Sequence, residues 1–121
     1  MNVPIGILGR VIDAISMDES ELRILCGADV LVISDKEHIC CESRYMHTDD
    51  DLPYYVGAKL IGIDLRDGPT EETQDDYGMD VCRESQFLIV QTDRGAITVV
   101  NYNDHNGYYG KFDITAKKVA R

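Results

Sequence analysis

The turn Asp93-Arg94-Gly95 constrains what this chain can fold into more than any other feature of it. It separates two runs, 86–92 and 96–101, that are rich in apolar and β-branched residues, and its glycine supplies the positive φ that a tight hairpin needs. Two strands joined so closely must pair antiparallel. Side-chain alternation then decides which residues of each face the interior.

Other segments show the same character. Residues 21–26 alternate, with Leu22, Ile24 and Cys26 on one face and Glu21 and Arg23 on the other. Gly27-Ala28-Asp29 is a turn, and Val30-Leu31-Val32-Ile33 opens the next strand. With the short run Val11-Ile12-Asp13-Ala14-Ile15 before them, these predict an antiparallel meander. Thr48, with Asp51 three residues on and Pro53 after it, resembles a helix start, so one short helix is expected over 50–56, ended by Gly57. Leu60, Ile61, Ile63 and Leu65 return strand character to 59–66. Residues 67–80 hold six acids (Asp67, Glu71, Glu72, Asp75, Asp76, Asp80) and no base, which reads as a long loop. A turn at 104–107 leads to a last strand over 108–115, and the basic stretch 116–121 reads as a frayed tail. The expected fold is α+β and mostly β. It is one domain over 1–121, built on a single twisted antiparallel sheet with a meander, a late hairpin and one short helix.

Composition limits the function classes. Hydrophobic residues make up 44% of the 121, enough for a core, and the 28% that are charged are ordinary for a globular chain. Twelve basic against twenty-two acidic residues leave a net charge of -10. That charge repels phosphate backbones and excludes broad direct contact with nucleic acid. No apolar run approaches the roughly 18–20 residues that span a bilayer. Met1-Asn2-Val3-Pro4-Ile5 lacks the basic start and cleavage site of a signal peptide, so a cytoplasmic location with reduced thiols is expected.

Chemistry concentrates in His38-Ile39-Cys40-Cys41-Glu42-Ser43, with His47 and Asp49-Asp50-Asp51 close behind. On a strand His38, Cys40 and Glu42 would share one face and Cys41 and Ser43 the other, so adjacent thiols cannot address one ion. Zinc would need His38 and Cys40 with distant help from Cys26, Cys82 or His47, and neither C-x-x-C nor H-E-x-x-H spacing occurs. Interior packing accounts for such cysteines more simply. A nucleophilic cysteine needs its thiolate, which the surrounding carboxylates suppress. The aspartate triplet lacks the ligand spacing and glycine of a calcium loop and suits a helix start. No catalytic residue, metal ligand or cofactor is therefore expected.

Cys40-Cys41-Glu42, then Val56-Gly57, then Thr92 with Gly95, then Asn106-Gly107-Tyr108-Tyr109 give the chain a recognisable order. It resembles a family of small proteins of phages and bacteria catalogued as a domain of unknown function, over about residues 8–119. The resemblance implies a compact β-rich domain carried by mobile elements, with no activity to transfer. Tryptophan, expected in the late hairpin of relatives, is absent here, and the acidic stretch 67–80 looks particular to this chain.

The expected function is non-enzymatic: an accessory protein of phage or mobile-element type that inhibits or modulates a host defence protein. Its contacts would come from Asp67, Glu71, Glu72, Asp75 and Asp76 together with Tyr102, Asn106, Tyr108 and Tyr109. Charge complementarity selects a basic partner, for instance one that handles nucleic acid. The alternative is sequestration of a small signalling nucleotide on aromatic rings and turn amides. A cysteine- or metal-dependent enzyme ranks last, and a two-fold homodimer is the oligomer to expect.

Overall fold

Two antiparallel sheets of four strands share one apolar interior. The computed structural model describes residues 1–35, 42–74, 76–105 and 112–121. Its strands are β1 (Ala14–Met17), β2 (Glu21–Cys26), β3 (Asp29–Asp35), β4 (Ser43–His47), β5 (Leu60–Gln74), β6 (Asp80–Thr92), β7 (Gly95–His105) and β8 (Ile114–Ala120). The first sheet has the order β1-β2-β3-β8 and the second β4-β7-β6-β5. The mostly-β expectation holds, as do the meander and the late hairpin, but the strands divide into two sheets where one was expected.

The meander follows its alternation. Leu22, Ile24 and Cys26 of β2 and Leu31 and Ile33 of β3 are fully buried in the shared core. The second sheet contributes Met46, Leu60, Leu88, Val90, Ile97 and Val99 to the same cluster. Residues 116–121 are not frayed. β8 pairs with β3 from Asp29↔Ala120 to Asp35↔Ile114 and covers an edge that would otherwise be open. The final strand thus lies later than expected, and 108–111 fall outside the described residues.

The β6–β7 hairpin pairs Thr92 with Gly95, whose φ is +116°. Thr92 Oγ1 donates to the Gly95 carbonyl at 2.7 Å and accepts from the Arg94 N–H at 3.1 Å. Arg94 Nη1 donates to the carbonyls of Tyr54 (3.0 Å) and Val56 (2.7 Å). Those carbonyls stand at the C-terminal end of a single 3-10 turn, Leu52–Tyr55, to which the expected helix shrinks. Asp51 provides no side-chain cap, and Thr48 does not cap a helix either. Thr48 Oγ1 donates to the Thr98 carbonyl at 2.7 Å while Asp50 Oδ2 accepts from the Thr98 N–H at 2.7 Å. Side chains here extend the β4–β7 pairing past His47.

The largest departure is 67–80, which is hairpin, not loop. β5 pairs with β6 through to Gln74↔Asp80, with a register shift between Asp67 and Thr70. Gly68 and Pro69 form that bulge. A Cβ at Gly68 would lie 2.5 Å from Ser85 Oγ and 3.1 Å from the Ser85 carbonyl, so only glycine fits against β6. Pro69 is tolerated because β5 is an edge strand, and its carbonyl accepts from Ser85 Oγ at 2.8 Å. Two residues that punctuate loops elsewhere thus bend a strand here. Among the described residues no helix is long and apolar enough to cross a membrane.

The other register shift, between Leu60 and Gly62, turns Ile61 outward to 54% exposure, whereas Leu88, opposite Leu65, is fully buried. Leu88→Ala should therefore cost about 2–5 kcal/mol in urea unfolding, and Ile61→Ala within about 0.5 kcal/mol. Equal losses would mean that this register is wrong.

Candidate functional site

Alternation along β6 and β7 divides the inner face of the second sheet into two chemically different halves. Near the turn the facing pairs are apolar, Leu88↔Val99 and Val90↔Ile97. Further out the same face carries Gln86↔Asn101, Glu84↔Asn103 and Cys82↔His105. Asn101, Asn103 and His105 are all buried, Asn103 completely. β4 places Arg44 opposite Asn103, so a polar interior continues across three strands.

An ion-pair network anchors it. Arg44 Nε donates to Glu42 Oε2 at 2.8 Å and Arg44 Nη1 to Asp35 Oδ2 at 2.7 Å. Asp35 ends β3, so this guanidinium joins the two sheets. The three side chains are almost covered, with Glu42 only 1% exposed. Asn103 Nδ2 donates to Glu42 Oε1 at 3.2 Å, and the Arg44 guanidinium lies 6.0 Å from the Phe112 ring centre. Hydrogen bonding from Arg44 holds the Glu42 carboxyl below its ordinary value, against the opposing effect of burial and with help from Asn103.

This half of the interior is polar beyond its own ability to satisfy itself. Among the described residues, Arg44 Nη2, Gln86 Oε1, Asn103 Oδ1 and both amide atoms of Asn101 are buried without a partner. Each such group costs about 1–3 kcal/mol, so stability alone does not explain them. At its outer end one ligand atom from each of Cys82, Glu84 and His105 lies within 4.8 Å of the others, and His105 Nε2 stands 3.3 Å from Glu84 Oε1. Burial, then the charges of Glu84 and Glu72, push the Cys82 thiol up. A cleft of about 610 Å³ opens beside it, lined by Glu42, Met79, Asp80 and His105 among others.

The outer face of the same strands is aromatic. Tyr45 and Tyr102 stack with centres 5.1 Å apart, and the Arg83 guanidinium sits 5.5 Å over the Tyr102 ring. Arg83 also grips Asp104 through two hydrogen bonds of 2.9 and 3.2 Å.

Against this geometry the expected binding residues separate. Asp67, Glu71 and Glu72 are exposed along β5, and Asp76 is exposed in the turn that joins it to β6. Tyr102 belongs to the outer stack on β7. Asp75, Asn106, Tyr108 and Tyr109 lie outside the described residues, as do His38, Cys40 and Cys41. The expected set is therefore not one patch on the described part of the chain. Arg44, Glu84, Asn101, Asn103 and His105 were not anticipated. For Glu84 and His105 the signal was present in the hairpin itself, since Cys82 and His105 stand equally far from its turn, whereas Arg44 lies on β4 and had none.

A family model described as Domain of unknown function (DUF7448) matches residues 6–114. No curated protein and no solved structure matches the chain.

Removing Arg44 takes the guanidinium from the covered Glu42 and Asp35 carboxylates, so Arg44→Met should lose about 3–5 kcal/mol at neutral pH. Glu42 has its folded value depressed, so its pairing contributes above the unfolded carboxyl range and is lost as pH falls through the folded value. The deficit of Arg44→Met should accordingly shrink toward about pH 4, where carboxyls begin to protonate. Denaturant unfolding at both pH values checks this, and a pH-independent deficit would refute it.

Proposed function

The chain belongs to the DUF7448 family, a domain of unknown function, and from its surface we propose that it acts by binding a protein. The partner is a basic surface on a host protein, inhibited or modulated in the cytosol. This fits the phage or mobile-element character suggested by the Cys40-Cys41-Glu42 and Asn106-Gly107-Tyr108-Tyr109 motifs.

One observation carries the reading. The β5–β6 hairpin continues past the last β6–β7 pair, Cys82↔His105, with exposed acids along it and Tyr77 (92% exposed) and Met79 (66%) at its tip. Carboxylates on such an arm steer a basic partner into encounter. Aromatic rings and methionine are the side chains that interfaces enrich once contact forms. Past Leu60, whose backbone groups bond Gly9 and Arg10, β5 is in addition an edge strand among the described residues, which suits strand addition by a partner. A nucleotide fits less well. The cleft is lined by Glu42, Asp80 and Asp104, and its Arg83 is already held by Asp104.

The full chain, immobilised, should retain a host protein at low salt and release it as salt rises. The double variant Tyr77→Ala/Met79→Ala should weaken that same complex by about 10-fold or more while leaving the circular dichroism unchanged. Glu71→Lys/Glu72→Lys should act mainly on the association rate. A complex indifferent to both variants and to salt would place the contact face elsewhere and defeat the proposal.

A further inference from the structure

We propose that Cys82, Glu84 and His105 form a binding site for a divalent transition metal of the zinc class. The three residues come from two strands. Cys82 and Glu84 are two apart on β6 and so share its inner face, and His105 is the β7 residue directly opposite Cys82. One donor atom from each lies within 4.8 Å of the others. Donors bound at about 2.0–2.3 Å around a tetrahedral ion stand roughly 3.3–3.8 Å apart. The 3.3 Å between His105 Nε2 and Glu84 Oε1 already has that spacing, and the Cys82 sulfur lies within 4.8 Å of both atoms.

The donor set selects the ion. Thiolate and imidazole favour zinc-class metals, and one carboxylate is too few oxygens for calcium or magnesium. Charge argues the same way. Glu42, Asp35 and Glu84 face the polar interior, and Arg44 is bonded to the first two. Glu84 has His105 3.3 Å away and makes no ion pair with Arg44 among the described residues, so a bound cation would offset its carboxylate.

A second observation stands apart from the three donors. Asn103, opposite Glu84 and two residues before His105 on β7, is completely buried and its Oδ1 has no partner among the described residues. An interior with unmet acceptors beside a donor cluster is what a hydrated or ligand-bearing site leaves. Of the three, His105 also lines the cleft of about 610 Å³. Three donors among the described residues fill three positions of a tetrahedral ion.

The test is titration of chelator-treated full-length protein with Co²⁺, followed by displacement with Zn²⁺. Expected are one ion per chain, a thiolate-to-cobalt charge-transfer band, tetrahedral visible bands and a raised melting temperature. Cys82→Ser, a near-isosteric change, should abolish the charge-transfer band and weaken binding by more than about 100-fold. Glu84→Gln should keep the band with weaker binding, and His105→Gln should weaken binding while far-ultraviolet circular dichroism reports whether it folds. Absence of any thiolate band in the wild-type protein would mean that Cys82 holds no ion, and the proposal fails. A band that survives Cys82→Ser would assign the ion to another cysteine, and the proposal fails equally.

Discussion

The change from apolar to polar along the inner face of the β6–β7 hairpin governs the rest of this structure. Up to Leu88 and Val99 the face is hydrophobic and holds the two sheets together through one core. One pair further it becomes Gln86 and Asn101, and polar residues continue to the end of β7. Period-two alternation leaves no freedom here: if Leu88 and Val90 face inward, so do Gln86, Glu84 and Cys82. The sheets must therefore enclose polar groups at this end or part from one another. Arg44 resolves the choice by reaching from β4 to Asp35 on β3 while also holding Glu42.

Such a network is a poor source of net stability. Desolvating a guanidinium and two carboxylates offsets most of the attraction between them, and a well-packed apolar substitute is often as stable or more so. What it supplies is position. Glu42 is fixed by Arg44 and in turn accepts from Asn103, so the backbone of β7 is registered by polar contacts as well as by its ladder. His105 is the next inward residue along that strand. Precise placement of a histidine opposite a cysteine is the outcome, and a packed leucine layer would leave neither group there.

How much of this was legible depends on whether the controlling contacts are local. The hairpin at Asp93-Arg94-Gly95 and the meander around Gly27 rest on turn chemistry and alternation within a few residues, and both were read correctly. Residues 67–80 were misread because Gly68 and Pro69 look like loop punctuation, and their role as a bulge against Ser85 depends on a partner strand. The tail was misread for a related reason: Lys117 and Lys118 are exposed, and only the open edge of β3 makes a strand of them. The polar run Asn101-Tyr102-Asn103-Asp104-His105 looked like a strand dissolving into a turn. Carrying the hairpin register outward from Gly95 would have kept it a strand and set His105 opposite Cys82. The ion-pair network was beyond reach, since Asp35, Arg44 and Asn103 come from strands whose adjacency local patterns do not state.

The acidic arm and the donor cluster are consequences of one strand. β6 carries Cys82 and Glu84 inward, and among the described residues its first two, Asp80 and Val81, pair only with β5 as half of the acidic hairpin. Its outward residues there include Arg83, held by Asp104 and Tyr102, so the root of the arm is clamped from the outer face. An ion bound on the inner face would clamp the same root from the other side. Local opening is cheapest where buried apolar contacts are few, and that describes the arm better than any other paired segment of the second sheet. Rigidity delivered at Cys82 is therefore delivered where the arm has least of its own, and a binding element ordered in advance gives up less freedom when it meets its partner.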